Sequence, residues 1–341
     1  MAVRLLTDST SCIPPEDVDA YDIHVVSMVL VDGDRAIPEL GMDLDEFYEH
    51  LAQVDYLPTT TQPTPALLHE ELVRILDAGD DVLAVFIPET LSGTGAQVIL
   101  AAEHLIAENP ELADRIALVD SRSVCMQQGY TVLAAAQCAR DGGTLAECVA
   151  AAEATKLRTR FIFAPRGLSY LERGGRIGRA SALLGSVLKL VPVLTIEDAL
   201  ATTFSKVRTY PKALMAIKDK FLADVNASGG LKNVCVHFIV EYQEAAAFCK
   251  NVIEPLIGFA VKLIPASPVV GANVGPAIGL VYETIDPIAP LRGGSGSVGA
   301  SMRDRLGDLS LPDLSGLLGR RDNESESGSK NDNAPTGKPG A

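Results

Sequence analysis

Three short apolar runs in the first 120 residues each end in polar side chains. Val3 to Leu6 leads into Thr7-Asp8-Ser9-Thr10, Val82 to Ile87 into Leu91-Ser92-Gly93-Thr94, and Ile116 to Val119 into Asp120-Ser121. Such runs are typical of buried parallel strands, and helical patterns alternate with them. Ligands of open parallel sheets bind outside the carboxyl ends of the strands. The pattern therefore predicts an α/β fold with hydroxyl groups at the edge where a ligand would bind.

The length of the chain favours more than one domain. With 341 residues, of which 47% are hydrophobic, the chain is long enough for about two cores. We expect a parallel-sheet α/β domain at residues 1–160 and a smaller α/β domain at 161–290. Residues 291–341 are rich in Gly, Ser, Asn and charge, which predicts a linker and a disordered tail.

Composition also indicates a compartment and excludes some partners. The six cysteines contain no C-x-x-C pair, which favours a reducing compartment. No secretory leader and no run of about 20 apolar residues is evident, so we expect a cytoplasmic protein without stable membrane insertion. A net charge of −15 disfavours nucleic acid as a partner.

The segment after Ile87 is a candidate anion site. Ser92 and Thr94 stand beside two glycines just before the helical pattern of Ala96 to Ala107, and helix N-termini carry unpaired N–H groups. The alternative is that Ser92 or Thr94 only caps that helix. Two further segments offer polar side chains. Thr60 and Thr61 lie between prolines in a predicted irregular loop, and Gly271 to Pro276 predicts a turn that projects Asn273.

The motifs of several enzyme classes are missing. The sequence has no G-x-S-x-G elbow and no Walker A motif, and its five histidines lack the spacing of a metal site. Hydroxyl donors without an evident base favour binding over catalysis, so we expect no catalytic residues, no metal and no cofactor. A Ser92-dependent acyl hydrolase or transferase, and a phosphate or nucleotide site at the glycine-rich turns, remain alternatives.

Six motifs, in this order, resemble the DegV family of bacterial fatty-acid-binding proteins. They are Thr7-Asp8-Ser9-Thr10, Thr60-Thr61-Gln62-Pro63, Leu91-Ser92-Gly93-Thr94, Val119-Asp120-Ser121, Gly174-Gly175-Arg176-Ile177 and Leu183-Leu184-Gly185-Ser186. The resemblance implies a two-domain DegV-like fold with a tunnel between the domains for one long-chain fatty acid such as palmitate. It further implies that a separate ATP-dependent fatty acid kinase phosphorylates the carboxylate for phospholipid synthesis.

The resemblance also assigns residues to the carboxylate. It implies that Thr60 and Ser92 hold the carboxylate, and we expect Thr61, which stands in place of the usual serine, to bind it as well. Many members have a histidine in a His-x-Gly-Pro-Gly turn, where this chain has Asn273-Val274-Gly275-Pro276-Ala277. Asn can donate a hydrogen bond but carries no charge. We therefore expect Asn273 at the carboxylate, bound more weakly or in a different arrangement.

A basic segment adds a candidate surface for the kinase. Residues 156–220 contain 13 Lys or Arg and four acids, a net charge of +9. Arg173 and Arg176 flank Gly174-Gly175, and cations near the mouth of a tunnel suit a kinase and its phosphoryl donor. We therefore predict that both arginines face the kinase. The alternative is that Arg176 pairs with a carboxylate and only stabilises the turn.

Overall fold

The computed structural model describes residues 2–53, 56, 58–184 and 190–291, and all of them belong to one compact unit. The strands are β1 (Val3–Asp8), β2 (His24–Val26), β3 (Val29–Asp32), β4 (Arg35–Pro38), β5 (Thr59–Thr61), β6 (Asp81–Phe86), β7 (Ile116–Asp120), β8 (Thr159–Pro165), β9 (Val191–Glu197), β10 (Leu200–Val207), β11 (Leu231–Ile239), β12 (Lys262–Pro265) and β13 (Ala277–Thr284). The helices are α1 (Pro15–Tyr21), α2 (Leu44–Gln53), α3 (Pro65–Asp77), α4 (Thr94–Glu108), α5 (Met126–Arg140), α6 (Leu145–Lys156), α7 (Ser169–Arg173), α8 (Tyr210–Ala227), α9 (Tyr242–Phe248), α10 (Glu254–Ile257) and α11 (Pro268–Val274). The predicted linker and tail lie outside the described residues, apart from Leu291.

The described strands form three sheets. The first is parallel, in the order β2-β1-β6-β7, which confirms the predicted parallel sheet in the N-terminal part. The second has the order β10-β9-β8-β13-β11-β12 and is antiparallel except for the pair β11–β12. The third is a small antiparallel sheet, β4-β3-β5. The predicted α/β class is therefore confirmed.

Several helices begin where the sequence carries a capping residue. Thr64 Oγ1 accepts a hydrogen bond from the Leu67 amide at 3.3 Å, just before Pro65 opens α3. Thr144 and Glu147 form a reciprocal capping box at α6. These signals are local. The sequence predicts helices from Pro65 to Ala78 and from Thr144 to Arg158, and α3 and α6 occupy these stretches.

The apolar run from Ile23 to Val31 predicts one strand, but the chain leaves one sheet for another within it. β2 pairs with β1, whereas β3 pairs with β4 and β5. Between them the Met28 amide donates to Ser9 Oγ at 2.8 Å instead of to a strand. This side-chain contact interrupts the ladder and lets the chain change sheets.

The segment from Leu57 to Pro65 is also more regular than predicted. Thr59–Thr61 forms β5, in which Thr60 pairs with Leu30 of β3. Prolines block a strand only where their missing N–H would be needed, and Pro58 and Pro63 lie outside β5.

The predicted turn around Asn273 is a helix up to Val274. Ser267 Oγ accepts from the Val270 amide at 3.4 Å and Pro268 occupies the first position, so α11 begins earlier than the glycines suggest. The turn comes at Gly275, whose φ of +71° suits glycine. Asn273 is therefore held on the last turn of a helix.

A continuous apolar core joins the two larger sheets. Leu5 and Leu83 of the parallel sheet share it with Phe161, Phe163 and Val281 of the six-stranded sheet. A smaller cluster packs the third sheet and α2 against α11, and its members are Met28, Leu30, Phe47, Val269 and Ala272. The change of sheet falls close to residue 160, but the division into two domains there stays a prediction.

Candidate functional site

A cavity lies between the six-stranded sheet and the carboxyl ends of the parallel strands, and we call it the central cavity. Its walls are mainly apolar and include Ile87 after β6, Phe163 of β8, Ile239 of β11 and Ala277 of β13. The space between its wall atoms is about 820 Å³, including the part open to solvent, yet the centre of a water molecule can reach only about 80 Å³ of it. The central cavity is therefore narrow in cross-section.

Ser92 reaches this cavity from the loop between β6 and α4. It is 8% exposed, its Oγ lies 2.9 Å from Thr94 Oγ1, and it accepts the Thr94 amide at 3.3 Å. The hydroxyl therefore supports the start of α4 and still faces the cavity. The N-cap position of α4 is Gly93, so Ser92 supports the turn before the helix rather than capping it, and its role as a binding group stays a prediction.

Thr60 and Asn273 meet at the same cavity. Asn273 Nδ2 donates to Thr60 Oγ1 at 3.3 Å and to the Val269 carbonyl at 2.8 Å. A Cβ at Gly174 would lie 2.6 Å from Asn273 Oδ1, so this amide packs directly on the Gly174 backbone. The structure therefore brings together Thr60, Ser92 and Asn273, whose chain positions are far apart.

Arg176 also lines the central cavity. Its Nε donates to the Leu91 carbonyl at 3.1 Å and its Nη1 to the Gly174 carbonyl at 2.5 Å. Within the described chain its hydrogen-bond partners are these carbonyls rather than a carboxylate. The guanidinium therefore holds the turn beside the Ser92 loop while it keeps its positive charge next to the cavity.

Two predicted site residues do not reach the cavity. The Thr61 side chain is exposed, because successive residues of a strand point to opposite faces and Thr60 faces inward. Arg173 is exposed on α7, where it donates to the Ser169 carbonyl at 3.4 Å and lies over the Tyr170 ring. Its position beside the turn of Arg176 leaves it accessible to a partner.

Two other polar residues in the wall are satisfied within the protein. His237 Nδ1 donates to the Ile264 carbonyl at 2.9 Å, and its Nε2 accepts from the Met126 amide at 3.1 Å. Burial lowers the pKa of His237 to about 4, so the ring is neutral at pH 7. Thr10 donates to the buried Asp8. A polar ligand group therefore finds spare partners near Ser92, Thr60 and Asn273 instead.

These contacts bear on the enzymatic alternative. The hydroxyl neighbour of Ser92 Oγ is Thr94, and the histidine of the cavity wall has both ring nitrogens engaged. A serine nucleophile needs an adjacent base. Among the described residues, this geometry gives Ser92 no imidazole to accept its proton.

Sequence reasoning missed Glu39, which connects two parts of the site. Glu39 is 4% exposed, accepts the Val269 amide at 2.7 Å and accepts the Ser9 hydroxyl. It therefore ties the end of β1 to the first turn of α11, the helix that carries Asn273. Burial raises the pKa of Glu39. No periodic pattern in the sequence indicates this contact, since Glu39 follows a short strand with an exposed face.

The basic segment proves to be largely paired. Ion pairs join Arg158 to Glu283, Arg160 to Asp224, Arg166 to Glu241 and Glu244, and Arg179 to Asp198. Lys156, Lys218 and Lys220 also have acidic neighbours. Much of the local positive charge is therefore paired within the fold, and Arg173 and Arg176 stay the predicted kinase-facing residues.

No group of three or more His, Cys, Asp or Glu side chains among the described residues could hold a metal ion. None of the described helices combines the length and the hydropathy needed to cross a bilayer.

Comparison with known proteins identifies the family. The model of the DegV family, described as uncharacterised proteins, matches residues 2–284. The chain belongs to the DegV family. A DegV domain-containing protein of Clostridium acetobutylicum is 35% identical over 290 residues, covering 83% of this chain and 98% of that protein. One of Streptomyces coelicolor is 33% identical over 279 residues, covering 81% and 96%.

Solved DegV structures share the fold. One is a DegV family protein from Thermus thermophilus whose structure is described as showing fatty acid binding. It has a TM-score of 0.73 and 27% identity, and the match covers 84% of this chain and all of that one. DegV of Bacillus subtilis, described as a fatty acid binding protein, has a TM-score of 0.73 and 28% identity, with 83% and 99% covered. The DegV fold predicted from the motifs is thus confirmed.

Proposed function

We propose that this DegV protein binds one long-chain fatty acid in the central cavity, with the carboxylate at Thr60, Ser92 and Asn273. The observation that carries this proposal is the arrangement of the cavity wall. Apolar side chains cover most of it, and two of its buried polar residues are satisfied internally. Thr60, Ser92 and Asn273, which we call the polar cluster, line the same cavity with hydrogen-bonding capacity to spare. A narrow apolar cavity with one polar cluster suits an unbranched chain with one acidic end.

The energetics support such a ligand. Burying roughly 14 methylenes of palmitate is worth about 11 kcal/mol at about 0.8 kcal/mol each, before ordering costs. The hydroxyls of Thr60 and Ser92 and the amide of Asn273 can donate to a carboxylate, and the Arg176 guanidinium lies along the same wall. The chain thus supplies the affinity and the polar cluster fixes the orientation.

We extend the proposal to a carrier role, in which the bound carboxylate is offered to a separate ATP-dependent fatty acid kinase for phospholipid synthesis. The position of Arg173 relative to the cavity supports this role. The turn that brings Arg176 to the cavity carries the exposed Arg173 three residues earlier. A kinase brings an anionic phosphoryl donor, which a cation at this position attracts.

Extraction of the purified protein with organic solvent, followed by mass spectrometry, tests the binding step. We expect free fatty acid in near one-to-one amount with protein. Protein that carries no fatty acid, and takes up none when palmitate is supplied, contradicts the proposal. Release of a phosphate compound instead supports the nucleotide alternative.

A further inference from the structure

The inner face of the six-stranded sheet forms the floor of the central cavity, and its residues lie in register. Ala277 of β13 pairs with Ile239 of β11, and two residues further along β13 Gly279 pairs with His237 and with Phe163 of β8. All five line the cavity. The floor therefore runs along the strands in rows about 6.6 Å apart.

The floor of the cavity ends at the next row of paired residues along β13. Val281 pairs with Cys235 and with Phe161, and Val281 and Cys235 belong to the packed core rather than to the cavity wall. Phe161 is the member of this row that reaches the cavity from the middle of the sheet. It lies roughly 13 Å along the strands from Ala277, and Asn273 lies four residues before Ala277, on the last turn of α11 ahead of the turn at Gly275. Phe161 is thus remote from the polar cluster.

The Phe161 ring can lie close against the sheet because Gly279 has no side chain to displace it. The ring stacks on Phe163 with centroids 4.9 Å apart and meets the His237 ring edge-on at 5.9 Å. A Cβ at Gly279 would lie 2.5 Å from Phe161 Cε2 and 2.9 Å from Phe163 Cβ. Since Phe163 Cβ is fixed to its strand, the Phe161 ring would have to move away from the sheet, which is into the cavity.

We propose that Phe161, seated on the bare backbone of Gly279, sets the longest acyl chain that the cavity accepts. This inference rests on the proposed function and names the positions that determine chain-length specificity. A smaller side chain at 161 lengthens the cavity, and a side chain at 279 shortens it. Each methylene admitted or excluded changes relative affinity about fourfold.

The test offers delipidated protein an equal mixture of lauric, myristic, palmitic and stearic acids and measures the bound acids by mass spectrometry. Phe161→Leu is expected to shift the bound mixture toward longer chains by roughly one methylene or more. Gly279→Ala is expected to shift it toward shorter chains. The control is Phe248→Leu, which removes the same volume from an equally buried site in the separate core on the other face of the sheet.

The outcomes separate the two proposals. Wild-type protein that binds none of the acids contradicts fatty-acid binding itself, and the length limit fails with it. Wild-type protein that binds them, with a distribution that a folded Phe161→Leu variant leaves unchanged, overturns the length limit alone. The same shift in Phe248→Leu also overturns it, because a general loosening of the fold then explains the change. If Gly279→Ala does not fold, Phe161→Leu and its control decide the matter.

Discussion

Asn273 Nδ2 donates to Thr60 Oγ1 at 3.3 Å, across 213 residues of sequence. This contact joins the last turn of α11 to β5, so two polar groups of the proposed carboxylate site position one another. The side-chain amide of Asn273 makes this hydrogen bond although it carries no charge. Asn273 can therefore help to hold an anion, but the cation nearby is the Arg176 guanidinium in the same wall.

Replacing Asn273 by histidine should make binding pH-dependent. An imidazole with an unperturbed pKa of about 6.5 gains a proton as the pH falls below that value, and the cation then attracts the carboxylate. We expect Asn273→His to bind palmitate more tightly at about pH 5.5 than at about pH 8, relative to wild type. Fluorescent fatty-acid titration across this range measures the effect. Asn273→Ala is the control, and a flat ratio of affinities would place residue 273 away from the carboxylate.

Removing the Ser92 hydroxyl should weaken binding without unfolding the protein. Hydrogen bonds to charged groups are worth about 1.5–3 kcal/mol, so the dissociation constant of Ser92→Ala should rise about 10-fold to 150-fold. Ser169→Ala is the matched control, because Ser169 is an exposed serine at the start of α7. Calorimetric titration with palmitate compares the two variants, and equal affinities would remove Ser92 from the site.

Glu39 should make the stability of the fold decrease as the pH rises. Its folded-state pKa is raised above the ordinary value of 4.5 by burial, so its contribution is fully present below about pH 4.5 and is lost as the pH rises through the folded value. Relative to Glu39→Gln, which cannot ionise, wild type should lose melting temperature as the pH rises above about 4.5.

Glu147 is a control of opposite sign for that experiment. The Thr144 amide and hydroxyl lower the pKa of Glu147, so its contribution is present above pH 4.5 and is lost as the pH falls. Melting curves of wild type, Glu39→Gln and Glu147→Gln from about pH 3 to 8 should therefore give difference curves of opposite slope. Parallel curves for the two variants would contradict the role of burial at Glu39.

Removing the charge of Arg173 should affect the kinase step alone. Arg173 is exposed and outside the cavity, so Arg173→Ala should keep its fatty acid and its melting temperature. The rate of acyl phosphate formation with a cognate kinase and ATP should fall, and more so at low salt, where exposed charges are less screened. Arg208→Ala, another exposed arginine of the basic segment, is the control. Equal rates in both variants, or loss of fatty acid from Arg173→Ala, would overturn this role.

The features that the sequence predicts well are those encoded locally. The apolar runs before Thr7 and Ser92 become β1 and β6, and Thr64 caps α3 because its signal lies within four residues. The features that it misses depend on distant partners. β5 exists because β3 lies beside it, and Glu39 reaches Val269 across 230 residues. No periodicity within either segment reports such a neighbour.

The residues of the candidate site likewise divide into those that local sequence indicates and those that depend on distant parts of the chain. Local chemistry makes Ser92 a candidate for anion binding, whereas the proposal of Thr60 and Asn273 as carboxylate-binding residues required the resemblance to a known family. The position of His237 in the cavity wall, with both nitrogens engaged, follows from contacts with Ile264 and Met126 on other elements. Its neutral state could therefore be judged only from the fold.

The proposed carboxylate site draws its residues from three parts of the fold. Thr60 lies on the small antiparallel sheet, Ser92 on the loop that follows the parallel strand β6, and Asn273 on α11, the helix that precedes β13 of the six-stranded sheet. A single carboxylate held by all three would cross-link these parts of the fold. Binding to the folded state alone adds about 2.7 kcal/mol of stability when free ligand exceeds its dissociation constant a hundredfold. The resistance of this protein to heat and to proteases would then increase with the concentration of free fatty acid around it. In a cell poor in free fatty acid, the same chain would unfold more easily and be degraded faster.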